Sequence, residues 1–202
     1  IFDLDRTAGT VVAGERRIYQ TCFLPKPDSE FQPPYDVALW GHGYGSNRFD
    51  LILMAWELNR VGRALCAFDW PSHGMAMSPA DAAQYLPLLE GGGLLPAVEH
   101  LLKGRARDLN NDGIADSGAD FLVGDPFKTR DHVRQVVVDI VQWARAMRAC
   151  GTGTMDVDVD FDGQNEVSCD FDGDGIADFG GPDAKLSYAG GSMGGITAAV
   201  LA

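Results

Sequence analysis

Leu186-Ser187-Tyr188-Ala189-Gly190-Gly191-Ser192-Met193-Gly194-Gly195-Ile196 is the segment that decides the fold of this chain. Leu186 to Gly190 has the length and apolar character of a short strand, and Met193 to Ala202 (MGGITAAVLA) opens a helix of small residues. Between them, Gly190-x-Ser192-x-Gly194 fits a corner where a strand turns abruptly into a helix. Such a corner strains the serine's backbone, and only small neighbours let the two elements approach while the hydroxyl projects into the site. The helix start behind Ser192 supplies main-chain N–H groups and a positive dipole end, which stabilise a developing oxyanion.

The segments upstream supply the sheet that this corner needs. Arg16 to Leu24 (RRIYQTCFL) is rich in β-branched and aromatic residues and runs into Pro25, so it is expected to be a strand ending at Leu24. Asp36 to Trp40 (DVALW) is a buried-type strand feeding the turn Gly41-His42-Gly43-Tyr44-Gly45. Ser46 or Asn47 can cap the helix that follows, whose apolar residues Leu51, Ile52, Ala55, Trp56 and Leu58 recur at helical spacing before Gly62 stops it. Arg63 to Asp69 reads as the next strand. A longer helix is expected from near Asp131, with Val133, Val136, Val137, Ile140, Val141, Ala144 and Met147 as its apolar stripe. Strands alternating with helices imply an α/β fold, a mostly parallel sheet with helices on both faces.

Sites in such sheets form outside the carboxyl ends of the strands, so the turn after Trp40 is expected to face the corner at Ser192. The main-chain N–H groups of Tyr44 and Met193 are then the two oxyanion donors, with Gly190 and Gly194 framing the corner. His42 is read as a structural turn histidine in preference to a proton-transfer group.

Trp40-Gly41-His42-Gly43-Tyr44-Gly45-Ser46, Phe68-Asp69-Trp70-Pro71-Ser72-His73-Gly74 and Gly190-Gly191-Ser192-Met193-Gly194-Gly195 follow one another in the order seen in α/β-hydrolases, which the chain resembles over about residues 16 to 202. Arg130-Asp131-His132-Val133-Arg134-Gln135 is also similar to secreted bacterial lipases of that fold. The resemblance implies strands three, four and five of the fold, with Ser192 as the nucleophile of a serine ester hydrolase, lipase or esterase, acting on a small-molecule or lipid ester. In that fold the acid and the histidine of the triad follow the serine. Only ten residues follow Ser192, none acidic and none a histidine, whereas His42, His73, His100 and His132 precede it. The 202 residues are therefore expected to form a partial domain, truncated after the corner and close to inactive alone. A serine peptidase of the same fold and a non-catalytic calcium-binding extracellular module are the alternative readings.

Two connections are long for such a fold, 76–130 and 149–185. They hold most of the acidity: 15 of the 29 Asp and Glu residues lie in 108–125 and 156–183. Asp108, Asn110, Asp112 and Asp116 place oxygen donors at alternate positions around a glycine. Asp170, Asp172, Asp174 and Asp178 do the same, and Asp158, Asp160, Asp162 and Glu166 form a third set. Such spacing suits calcium, which accepts six to eight oxygens. The loops resemble those of EF-hand and thrombospondin type 3 proteins, but Ala119, Cys169 and Gly181 stand where an EF-hand has its bidentate Glu. The second connection joins a helix end to a strand start, so its calcium is expected at the end of the sheet away from Ser192, in a structural role. The first also carries apolar residues around Tyr85–Leu89 and Leu94–Leu102, read equally as a lid over a lipid-binding cleft or as ordinary helices packed on the core.

A formal net charge of −13 and the lack of a basic stripe argue against nucleic acid as partner. No apolar run reaches the length of a membrane span. The chain opens at Ile1 without a charged-then-apolar leader, which is read as a processed or truncated product of a secreted or cell-surface, bacterial-type protein. Of Cys22, Cys66, Cys150 and Cys169, the last two flank an acidic loop that a bridge would clamp; the spacing leaves two free thiols equally open.

Overall fold

The computed structural model describes all residues except 1, 6, 9, 14–16, 27–29 and 159–162. Strands β1 (Phe2–Asp5) and β2 (Thr10–Ala13) pair antiparallel in a ladder of their own. The main sheet contains β3 (Gln20–Phe23), β4 (Asp36–Gly41), β5 (Arg63–Phe68) and β6 (Leu186–Gly190), in the order β3-β5-β4-β6. β5, β4 and β6 run parallel, and β3 is antiparallel at the edge. The strand expected from residue 16 is thus paired only over Gln20–Phe23.

Alternation sorts the strands' side chains between two layers. Ala38, Leu65 and Ala67 pack with Leu51 and Ala55 of the segment after β4. There, the Asn47 side chain accepts from Phe49 N (3.0 Å) and caps a 3-10 turn, Arg48–Leu51, that leads into α1 (Ile52–Asn59). Leu39, Phe68, Val136, Ile140 and Met193 form the opposite layer. Its helices are α4 (Pro126–Ala149) and α5 (Met193–Leu201), so helices cover both faces.

Helix α4 starts earlier than the expected Asp131. Pro126 lacks an N–H that the first turn does not need, and the Asp125 side chain accepts from Phe127 N (2.9 Å). Its inward stripe is Val136, Ile140 and Met147, with Val133 and Trp143 partly covered; Val141 points outward. Asp139 takes an inward position instead, because Arg105 meets it there at 2.6 Å.

The connection from β5 to α4 contains α2 (Pro79–Gly91) and α3 (Leu95–Leu102). α2 is capped by Ser78 but buries none of its residues. In the other long connection, Phe179 bridges Tyr35 just before β4 begins, which puts residues 170–179 at the amino end of the parallel strands. Both cysteine pairs are oxidised: Cys150–Cys169, and Cys22–Cys66, which are direct partners in the β3–β5 ladder. Bridges of this kind are at home in an oxidising compartment. Among the described residues no helix is long and apolar enough to cross a membrane.

Candidate active site

β6 ends at Gly190 and α5 begins at Met193, leaving Gly191 and Ser192 to make the whole turn. Ser192 is exposed and adopts φ 52°, ψ −116°. That region disfavours any residue with a Cβ, at a cost of about 1–3 kcal/mol, and persists only where the surroundings over-determine it. Gly191 N donates to Gly41 O (3.2 Å), tying the corner to the end of β4. A Cβ on Gly194 would run into the Gly41 carbonyl, and one on Gly190 would sit 2.7 Å from the Gly194 carbonyl carbon. The glycines at these two positions are thus required by the close approach of strand and helix. Behind them, Thr197 Oγ1 donates to Gly194 O (2.8 Å), and the Tyr188 hydroxyl lies 2.6 Å from Thr197 Oγ1.

The turn after β4 faces this corner, because β4 and β6 are adjacent and in register, Gly41 opposite Gly190. A Cβ built on Gly43 would lie 3.7 Å from Ser192 Cβ. The chain leaves β4 toward β5 on one side, while β6 pairs on the other, so both turns sit at the switch point of the sheet. Among the described residues neither Tyr44 N–H nor Met193 N–H has an acceptor. Sequence reasoning named these two donors and Ser192, and the fold brings all three segments to one place.

His42 lies beneath the turn, fully buried. Its Nε2 accepts from Trp70 N (3.2 Å), which leaves Nδ1 to donate to Gly43 O (2.8 Å). Burial lowers its pKa to about 4, against a smaller opposing effect of the Gly43 carbonyl. A neutral imidazole with both nitrogens engaged shapes the turn and takes up no proton. His73 is buried too, its Nδ1 2.8 Å from Pro71 O, and burial likewise lowers its pKa. His132 turns Nδ1 toward Phe121 O at 3.2 Å, and His100 lies beside the Tyr19 ring.

Several residues that hold this end of the sheet were not evident from the sequence. Arg48 is buried against Asp69, to which both its guanidinium and its main-chain N–H (2.7 Å) donate. Burial pushes the Asp69 carboxyl up, and Arg48 counters that rise. The same guanidinium donates to the carbonyls of His100 (2.9 Å), Leu101 (2.7 Å) and Lys103 (3.1 Å) at the end of α3. Ser117 Oγ donates to Ser46 O (2.9 Å) and accepts from Gly74 N (3.2 Å), linking the first acidic loop to the turns after β4 and β5. An isolated arginine beside a capped turn was the only trace of this in the sequence.

The acidic loops fold alike. Asp170 Oδ2 accepts from Gly175 N and Asp108 Oδ2 from Gly113 N, both at 2.8 Å; Asp178 accepts from Phe171 N (2.7 Å) and Asp116 from Leu109 N (2.9 Å). In the third set Asp158 Oδ2 accepts from Gly163 N (3.0 Å) and Glu166 N donates to Val157 O, while Asp160 and Asp162 lie outside the described residues. Asp170, Asp172 and Asp174 bring carboxylate oxygens within 4.8 Å of one another; among the described residues Asp108, Asp112 and Asp116 do not gather in this way. Burial works to raise the Asp170 carboxyl, but the N–H groups of Gly175, Gly173 and Asp174 hold it below the usual range. Asp178 is shifted up by burial and, more weakly, by the charges of Asp172, Asp170 and Asp174.

No family model, no curated protein and no solved structure matches this chain.

Proposed function

We propose that this chain carries the nucleophile of a secreted carboxylic ester hydrolase of the α/β-hydrolase type, in which Ser192 forms an acyl-serine intermediate. The observation that carries the reading is the backbone of Ser192, strained at φ 52° on the corner between a parallel strand and a helix, with its side chain exposed. The order and direction of β4, β5 and β6 agree with it, since these are the strands that the resemblance numbers three, four and five. Ser192 Oγ attacks the ester carbonyl carbon, and the oxygen that gains charge is received by Met193 N–H and Tyr44 N–H; the bond to the alcohol oxygen then breaks, the alcohol leaves with a proton, and water later releases the acid from the acyl-serine. The proton on Oγ needs a base. His42, in the turn that faces Ser192, has both ring nitrogens engaged, and in the fold that the chain resembles the basic histidine comes after the serine in the chain.

Calcium is the cation that suits the second acidic loop. Asp170, Asp172 and Asp174 bring hard oxygen ligands together, Asp178 standing outside that cluster, and they lie at the opposite end of the sheet from Ser192. Its role there is to hold the loop beside the Cys150–Cys169 bridge.

The test is to express the reading frame continued past Ala202 and to assay it with p-nitrophenyl acyl esters and a fluorophosphonate probe. Ester turnover and probe labelling, both abolished by Ser192→Ala, are expected. Turnover that survives Ser192→Ala refutes the assignment, and preference for peptide amides over esters transfers it to a peptidase.

A further inference from the structure

The first turn of α5 presents the Met193 N–H, yet little in its own sequence holds that turn. Ser192 in front of it offers no side-chain cap. Gly194 and Gly195 follow Met193, and glycine is a weak helix former because folding costs it the most backbone freedom. Gly194 has no substitute, since a Cβ there would run into the Gly41 carbonyl. The close approach of strand and helix is thus obtained at the expense of the turn's local order.

The missing hold comes from the strand beneath. Thr197 is fully buried one turn into α5, and its hydroxyl donates back to Gly194 O (2.8 Å). The Tyr188 hydroxyl, reaching across from β6, lies 2.6 Å from Thr197 Oγ1 and 3.0 Å from Gly194 O. Each hydroxyl has one proton to give, so one proton joins the two oxygens and the other ends on Gly194 O, whichever hydroxyl serves the carbonyl. In such a chain each bond polarises and strengthens the other. Burial raises the Tyr188 pKa, against a smaller opposing effect of Thr197, so the hydroxyl keeps its proton. Gly41 makes the room for it: a Cβ at that position would run into the Tyr188 hydroxyl. The hydroxyl therefore stands between the end of β4 and the start of α5.

Gly194 is fixed from its other side as well, because its N–H donates to Gly191 O (2.8 Å). Ser192 O accepts from Gly195 N (3.0 Å) and Ile196 N (3.2 Å). The Ser192–Met193 peptide is planar, so fixing Ser192 O also fixes the direction of the Met193 N–H on the opposite edge.

We propose that Tyr188 and Thr197 are positioning residues: through Gly194 they hold the first turn of α5 against β6, and so aim the Met193 N–H at the oxygen that gains charge. The catalytic consequence rests on the reading of Ser192 as nucleophile, whereas the hold on the turn does not.

Amide hydrogen exchange of the chain tests the hold. In Tyr188→Phe/Thr197→Val, which removes both hydroxyls, the N–H groups of Gly194, Gly195 and Ile196 are expected to exchange roughly tenfold faster or more, while those of α4 keep their natural rates. Either change alone leaves one donor on Gly194 O and is expected to give a several-fold rise. Kinetics of the chain continued past Ala202 test the consequence with a p-nitrophenyl acyl ester. The double variant is expected to lose roughly tenfold in kcat with KM within about twofold, because the displaced donor meets charge that develops only in the transition state. Thr197→Ser, which keeps the hydroxyl, is expected to retain slow exchange and to recover most of kcat. Thermal melts show whether the double variant folds, and the single variants carry the same comparison if it does not. Unchanged exchange at 194–196 overturns the proposal, as does unchanged kcat in a chain that turns over ester through Ser192, or a loss in Thr197→Ser equal to that in Thr197→Val. A natural chain inert toward both ester and fluorophosphonate counts against the hydrolase reading instead, and the exchange rates still decide the hold.

Discussion

Replacing Ser192 by glycine and, separately, by alanine tests the strain at the corner without any need for catalysis. At φ 52°, ψ −116° a residue with a Cβ costs about 1–3 kcal/mol, and glycine is free of that cost. Glycine's greater freedom in the unfolded chain takes back about 0.5–1 kcal/mol. Ser192 forms no side-chain cap and is exposed, so removing the hydroxyl has little other effect on folding. Its carbonyl still accepts from Gly195 N and Ile196 N in either variant. Ser192→Gly is therefore expected to be more stable than Ser192→Ala by about 1 kcal/mol, roughly 2–4 °C in Tm for a chain of this size. Urea unfolding followed by tryptophan fluorescence measures the difference, provided that the denaturant slope is the same for both. An alanine variant equal to or more stable than the glycine variant would mean that the backbone at 192 is not strained, and the reading of this corner as a nucleophile site would fail with it.

Three further outcomes follow from the buried groups and the acidic loop. With a folded pKa of about 4 against 6.5 unfolded, His42 leaves the unfolded chain binding more protons between those values; its contribution, about 3 kcal/mol, is fully present above pH 6.5 and is lost as pH falls toward 4. Urea midpoints at pH 7 and 4.5 should fall further for the natural chain than for His42→Asn, and equal falls would contradict the depressed pKa. Arg48→Met leaves Asp69 buried without its cation and frees three carbonyls at the end of α3, so a loss of about 3–5 kcal/mol is expected in the same assay; a loss below 1 kcal/mol would show that the pair is not buried as described. Calcium should raise the Tm of the chain, EDTA should reverse the rise, and Asp174→Asn should diminish it; a Tm indifferent to calcium removes the metal from the loop.

The corner was legible in the sequence because its chemistry is local: the spacing of Gly190, Ser192 and Gly194 states how closely a strand and a helix must meet. β4 and β5 were legible because buried parallel strands are continuous apolar runs. α4 was misjudged at both its start and its stripe. Pro126 reads as a breaker until Asp125 is seen capping the first turn, and Val141 reads as core until Arg105 is found drawing Asp139 inward. The Cys22–Cys66 bridge depends on an antiparallel register between strands separated by a whole helix, which no local pattern carries.

Arg48 was the least legible residue, because most of its partners are main-chain carbonyls, and what it does bears on the 76–130 connection. Apolar residues there fitted a lid or core helices equally well. The structure divides the segment. The end of α3 is held by Arg48, the turn at 117–118 by Ser46, Ser72 and Gly74, and Arg105 by Asp69 and Asp139. α2 buries none of its residues, and Tyr85 and Leu88 on it are exposed. Residues 100–121 are therefore a fixed wall at the carboxyl end of the parallel strands, built around buried charge, and any opening motion of this connection is confined to α2 and its approach to α3. Under the proposed reading, a lid in this segment is a single helix hinged near Gly74–Ser78 and Gly91–Gly93, since moving more would strip Arg48 of its carbonyls and leave Asp69 to balance it alone.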